Sequence, residues 1–187
     1  PLNILYRLKT WREGKRPRIP FDGESVLPWR ELTRGRERYS HPDVQPDRDV
    51  AVLQYTGGTT GVPKGAMITH QNLTANARQV CAIDPHPDAD DRILGVLPFF
   101  HVFANTCVLN RTVLNGGMIT MLPRFDAKGA LEAITRTKAT ALPGVPTMYQ
   151  ALLDHPDLAK TDFSSLRVCI SGGAPMPAEL REKFVAA

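Results

Sequence analysis

Between Tyr55 and Met67 the chain reads YTGGTTGVPKGAM, which gathers four glycines, three threonines and one lysine into one short stretch. Glycines let successive backbone N–H groups turn inward around an anion, Thr56, Thr59 and Thr60 add hydroxyl donors, and Lys64 adds a full positive charge. Such a loop suits a polyphosphate. Hydrogen bonds to charged groups contribute about 1.5 to 3 kcal/mol each, so roughly three or four of them, with help from a base, could carry micromolar nucleotide binding. The stretch is not the common NTPase phosphate loop, whose lysine directly follows its second glycine. Here Val62 and Pro63 separate Gly61 from Lys64. A merely flexible turn has no need of a lysine framed by Pro63 and Gly65, so the anion-binding reading is preferred.

Two further stretches stand out. In LPFFHVFAN, Leu97 to Asn105, the rings of Phe99 and Phe103 are four residues apart with His101 between them, a spacing that also suits plain core packing. In ISGGAPMP, Ile170 to Pro177, the pair Gly172 and Gly173 permits close approach of the backbone to a flat ligand. A tight turn from strand to helix, with Pro177 at the first helical position, describes the same residues equally well.

The elements that must position these residues follow from apolar periodicity and turn signals. Ala51 to Thr56 reads as a short strand, and a helix is predicted to start near Asn72 after the glycine-rich stretch. After the turn at Asp84 to Asp91, a strand over Ile93 to Leu97 leads into a helix around Phe99 to Leu114, closed by Asn115, Gly116 and Gly117. Met118 to Leu122 is the next strand. Asp126 can cap a helix running to Lys138. Ala139 to Leu142 is a strand, Pro146 to Leu153 a helix, Leu166 to Ile170 a strand, and Pro177 opens the last helix. Alternation of strand and helix implies an α/β fold, a parallel-strand sheet with helices on both faces. In such sheets ligands bind beyond the carboxyl ends of the strands, and both glycine-rich turns are expected there.

Composition bounds the rest. With 187 residues, 42% apolar and 22% charged, the chain belongs among globular domains. No apolar run approaches the ~18 residues of a membrane span. Cys81, Cys107 and Cys169 are odd in number and widely spaced, which indicates neither a disulfide framework nor a zinc site and favours a reducing, cytoplasmic setting. The net charge of +4 is uneven: residues 1–38 hold ten Lys/Arg against five Asp/Glu, and the remainder is close to neutral. That distribution speaks for a local contact and against nucleic acid as a partner. Leu2, Leu5, Leu8 and Trp11 fall at helical spacing among basic residues, so residues 1–18 could form an amphipathic helix on a membrane surface; an ordinary packed helix is the preferred reading. Residues 17–49, rich in Pro, Gly and charge, read as a surface connection with one short helical candidate at Trp29 to Thr33. The chain opens at Pro1 and its last residues fall inside a helical pattern, so a piece of a larger domain is expected.

On these motifs the chain resembles the adenylate-forming superfamily of acyl-CoA synthetases, luciferases and nonribosomal peptide adenylation domains. YTGGTTGVPKGAM looks like the phosphate-binding signature of that family. The resemblance implies ATP with its β- and γ-phosphates held by Thr56, Gly57, Gly58, Thr59, Thr60, Gly61 and Lys64, and a carboxylate attacking the α-phosphorus to give acyl-AMP and pyrophosphate. LPFFHVFAN is similar to the motif whose histidine lies between acyl pocket and nucleotide, which implies a positioning or gating role for His101. ISGGAPMP resembles the segment against the adenine ring, which places Gly172, Gly173, Ala174 and Pro175 at the base. LPGVPTMYQALL also resembles family sequence, with Val145 to Tyr149 bordering the acyl pocket.

The resemblance runs from about residue 50 onward, and residues 1–49 match more loosely, in the manner of bacterial long-chain fatty acyl-CoA ligases. It implies a fatty acid, ATP and coenzyme A as substrates, with Mg2+ neutralising phosphate charge and no metal ligand assignable within this chain. It also divides the chain into 1–49, a basic segment and connection, and 50–187, an incomplete AMP-binding core. The family's later magnesium and ribose segments and its C-terminal domain with the adenylation lysine have no counterpart in this sequence, so the chain alone is expected not to turn over. Two alternatives stay open: an adenylation enzyme loading aryl or amino acids onto a carrier protein, and a nucleotide-binding module without catalysis.

Overall fold

The computed structural model describes Arg12 and residues 28–32, 42–56, 63–84 and 90–187. Apart from Arg12, the amphipathic run of residues 1–18 lies outside the described residues, as do the centre of the glycine-rich stretch, 57–62, and the turn 85–89. The chain divides into two units, Pro1–Asp43 and Val44–Ala187. In the first, a short helix, α1, spans Trp29–Leu32.

The second unit opens with a turn at Gln45 to Asp49, where the Asp49 carboxylate accepts the Gln45 N–H at 2.8 Å. Strand β1, Val50–Thr56, then pairs antiparallel with β2, Lys64–Thr69, as a separate two-stranded sheet. Thr69 ends β2 and caps helix α2, His70–Ala82: its hydroxyl accepts the Asn72 N–H, and the Asn72 side chain accepts the Thr69 N–H. That reciprocal capping satisfies two of the donors a helix start leaves open.

Four parallel strands form the main sheet: β3, Arg92–Gly95; β4, Met118–Met121; β5, Ala141–Gly144; and β6, Val168–Ser171, in spatial order β4-β3-β5-β6. Parallel strands covered on both faces carry continuous apolar sequence, and their two-residue period sorts it. Leu94, Val96 and Leu142 face one core, which is closed by Ala130, Leu131 and Ile134 of α5, Ala127–Thr137, and by Tyr149 and Leu152 of α6, Pro146–Leu153. Ile93 and Ala141, one residue out of phase, face a second core with Ala104 and Val108. Helices therefore lie on both faces, in an α/β fold.

Local chemistry fixes most boundaries. The Asp126 carboxylate accepts the Gly129 N–H at 2.7 Å and starts α5, which stops at Lys138 in a left-handed conformation, φ 52°. Pro146 sits in the first turn of α6. The last helix, α7, is Ala178–Ala186, with Pro177 just ahead of its first residue. Phe184 of α7 meets the Tyr149 ring edge-on, centroids 4.8 Å apart.

Between β3 and β4 runs a composite helix: α3, Val102–Ala104; a wide π-helical segment, Asn105–Asn110; and α4, Arg111–Asn115. Gly116, φ 65°, ends it in the left-handed region open to glycine.

One expectation is corrected. The glycine-rich stretch does not join a strand to a helix at the edge of the parallel sheet. It joins β1 to β2, because Lys64 to Thr69 is itself extended and folds back on β1 with Thr56 opposite Lys64. Alternation of strand and helix holds from β3 onward.

Candidate functional site

Antiparallel pairing sets the first part of the site. Residues directly opposite on such a pair share a face, so Thr56 and Lys64 stand together at the mouth of the glycine-rich loop, and the Thr56 hydroxyl donates to the Lys64 carbonyl at 3.4 Å. Gly65 lies across from Tyr55, where a Cβ would come within 3.7 Å of the ring. Lys64 is exposed. Gly57, Gly58, Thr59, Thr60 and Gly61 lie outside the described residues.

The second part is the turn after β3. The His101 N–H bonds the Pro98 carbonyl at 3.0 Å, and the His101 carbonyl accepts from the Asn105 N–H at 3.0 Å, so His101 is the N-terminal cap of the composite helix. Its ring closes the cap: Nδ1 accepts the Phe103 N–H at 3.2 Å. A nitrogen that accepts carries no proton, so the neutral ring keeps its hydrogen on Nε2. His101 thus presents an Nε2–H donor.

The third part is the turn after β6. Gly172 donates its N–H to the Gly144 carbonyl at 3.1 Å, continuing the β5–β6 pairing by one residue. Gly173 is left-handed, φ 77°, which turns the chain outward and leaves Gly173, Ala174 and Pro175 exposed. Met176 folds back onto the core, and the Ser171 hydroxyl donates to its sulfur at 3.6 Å.

Two contacts bring the three parts together. Gln54 Nε2 on β1 donates to the Phe100 carbonyl at 3.3 Å, linking the hairpin to the turn that carries His101. The Phe103 ring lies against Gly172, where an added Cβ would sit 3.0 Å from two ring carbons. Val145 packs on Gly173, 3.3 Å from a Cβ there. Tyr149 is 2% exposed, and its hydroxyl donates to the Leu142 carbonyl at 2.6 Å and reaches the Ile170 carbonyl at 3.2 Å. It ties β5 to β6 from within the core.

Among the described residues the arrangement offers a cation, an imidazole N–H and a glycine turn with accessible backbone. It offers little redox or thiol chemistry. Burial pushes the Cys107 thiol up, with a smaller opposing effect of Arg111. Cys169, though exposed over the whole residue, has its thiol pushed up to about 11 by its surroundings. Both are poor thiolate nucleophiles near neutrality. Among the described residues no group of three or more His, Cys, Asp or Glu side chains is placed to hold a metal ion. Among them, too, no helix is long and apolar enough to cross a membrane.

Gln54 escaped the reading of the sequence. The signal available was the apolar run Ala66 to Ile68 after the glycines, which makes the stretch a hairpin loop and brings β1 alongside the His101 turn.

Comparison with known proteins adds the lineage. The model of the AMP-binding enzyme family matches residues 8–187. A long-chain-fatty-acid–CoA ligase of Bacillus subtilis (strain 168) is 40% identical over 98% of this chain, which covers 33% of that protein. A feruloyl-CoA synthase of an Amycolatopsis species is 43% identical over 73% of this chain and 28% of that protein. The crystal structure of ATP-bound MatB from Rhodopseudomonas palustris superimposes with a TM-score of 0.70 at 35% identity, covering 80% of this chain and 29% of that one. The chain spans about a third of the length of the relatives it matches. A glycine-rich stretch between two antiparallel strands, a capping histidine and a glycine turn after the last parallel strand thus occur in a sequence matched almost throughout, and the chain belongs to the AMP-binding enzyme family.

Proposed function

We propose that this chain is the nucleotide-binding part of a longer ATP-dependent acyl-CoA ligase that activates a long-chain fatty acid as acyl-AMP and transfers it to coenzyme A. The observation that carries the reading is the 40% identity to a long-chain-fatty-acid–CoA ligase across 98% of the chain, motifs included. A carboxylate is a poor electrophile, and its mixed anhydride with AMP is a good one. In the first half-reaction a carboxylate oxygen attacks the α-phosphorus, the bond to the bridging oxygen breaks, and pyrophosphate leaves with that electron pair. Lys64, Thr56, Thr59 and Thr60 are the groups assigned to the growing charge on pyrophosphate. The Nε2–H of His101 is the donor assigned to a carboxylate or phosphate oxygen beside the glycine turn, and Gly172, Gly173, Ala174 and Pro175 supply backbone for the base. In the second half-reaction the thiol sulfur of coenzyme A attacks the acyl carbon, the thiol proton is released, and AMP leaves.

A second reading, activation of an aryl acid, is favoured by the 43% identity to a feruloyl-CoA synthase. Carboxylate-dependent ATP–pyrophosphate exchange on the full-length protein, across fatty, aryl and amino acids, separates the two. Exchange confined to fatty acids supports the first, exchange with hydroxycinnamates or benzoates the second, and ATP binding with no exchange leaves a non-catalytic module. Lys64→Ala is expected to slow exchange by about 100-fold or more; unchanged kinetics would remove Lys64 from the mechanism.

A further inference from the structure

Far down the composite helix from His101, the chain buries a cluster of charges that the chemistry above does not use. Arg111 is 0% exposed. Its Nε donates to Asp91 Oδ2 at 3.2 Å, its Nη2 donates to Asp91 Oδ1 at 3.0 Å, and Nη2 also pairs with Asp84. Asn115 Nδ2 donates to Asp91 Oδ2 at 2.7 Å, and Arg167 Nη2 donates to Asp91 Oδ1 at 2.9 Å. Asp84 follows α2, Asp91 precedes β3 and Arg167 precedes β6, so the cluster fastens the helix to three other elements. Burying such charges is expensive, and fold stability is commonly served as well by apolar residues of similar size. A network of this kind asks for a reason beyond stability.

The other end of the same helix is held independently. Its cap is closed by His101, its preceding turn by Gln54, and its first turn by the contact of Phe103 with Gly172. Between the two holds lies the π-helical segment Asn105–Asn110, bridged across its wide turn by Asn110 Nδ2 donating to Asn105 Oδ1 at 2.8 Å and fixed to α2 by the Thr106 hydroxyl on Asn76 Oδ1 at 2.9 Å. A π turn takes in one extra residue, which rotates everything beyond it by about 100° relative to a regular α-helix. Were only one end held, the helix could relax to the regular form. Both ends are held in phases that a regular helix does not connect, and the wide turn absorbs the difference.

We propose that Arg111 is a positioning residue for His101: locked between Asp91 and Asp84, it sets the phase and axial place of the helix, and the π segment transmits that setting to the cap and to Phe103. This rests on the adenylating role given to the His101 region above.

The test uses the full-length protein and two variants. Arg111→Met combined with Asp91→Asn removes the lock while leaving Asp84 paired with Arg167, 3.6 Å away, so no buried charge is stranded. Asn110→Leu removes the bridge across the π turn and touches no charge. Two quantities are read: ATP–pyrophosphate exchange, and backbone hydrogen exchange of residues 101–106 against those of α5. The expected result is a fall in kcat of at least about 10-fold with the KM for ATP changed less than about 2-fold. Exchange of residues 101–106 should rise at least about 10-fold while α5 stays as in the wild type. If the double variant fails to fold, Asn110→Leu decides by the same two readings. Folded variants with wild-type kinetics and wild-type protection of 101–106 overturn the proposal. A wild-type protein that shows no pyrophosphate exchange with any carboxylate overturns the enzymatic reading instead, and the hydrogen exchange then decides whether the lock holds the cap.

Discussion

Replacing Gly172 by alanine tests how the His101 segment is seated on the turn after β6. A Cβ at Gly172 would stand 3.0 Å from Cε1 and Cζ of Phe103 and 3.3 Å from Cδ1. Favourable carbon contacts begin near ~3.5 Å, so the ring would have to retreat by about half an ångström. Overpacking of that kind costs about 1 to 3 kcal/mol, and for a chain of this size each kcal/mol lowers Tm by roughly 2 to 4 °C. Gly172→Ala is therefore expected to lower Tm by about 2 to 12 °C in a thermal scan of this chain. The cause is isolated by a double-mutant cycle with Phe103→Leu, whose shorter side chain yields the space. Coupling of at least about 1 kcal/mol is expected, with the double variant close to Phe103→Leu alone. Gly173→Ala serves as the control: its φ of 77° imposes a left-handed backbone cost of about 1 to 2 kcal/mol whatever stands at position 103. Equal losses for Gly172→Ala in both backgrounds would refute the contact as the reason for glycine.

Asp126→Ala removes the carboxylate that caps α5, and a loss of about 1 kcal/mol in urea unfolding is expected, with little change on Asp126→Ser. Lys138 and two bonds from Ser164 hold the Asp162 carboxyl well below the usual carboxylate range. A carboxyl depressed in the folded state adds stability above its unfolded value near ~4, and that contribution is lost as pH falls towards the folded value. Lys138→Met should therefore flatten the loss of stability below about pH 4, and an acid limb as steep as wild type would show that the pair carries no linkage.

Much of this architecture was legible because it depends on neighbours in sequence. Asp126 and Lys138 bracket α5 within a residue of the predicted ends, Pro146 to Leu153 is helical as read, and Gly116 stops the composite helix where the Asn-Gly-Gly run said it would. The strands ending at Gly144 and Ser171 were expected to end two residues and one residue earlier, since parallel pairing across the sheet, not local propensity, decides where a buried strand ends. The β1–β2 hairpin was missed for a similar reason: Lys64 and Gly65 carry no strand preference, and only pairing with Thr56 and Tyr55 makes them extended. Nothing in Asn-Thr-Cys-Val-Leu-Asn announces a π turn. In the candidate site, residue types and glycine spacing were readable. The Gln54–Phe100 and Phe103–Gly172 contacts, which join segments more than forty residues apart, required the fold.

The small hairpin carries a practical corollary. Leu53 and Met67 face each other across β1 and β2, Tyr55 shares their side of the ribbon, and all three are more than half exposed. A two-stranded ribbon is marginal in water by itself, and an uncovered greasy side makes it adhesive as well. Purified alone, the chain should bind apolar dyes and self-associate as it is concentrated, and charged replacements at Leu53 and Met67 are the changes most apt to keep it monodisperse for the measurements above.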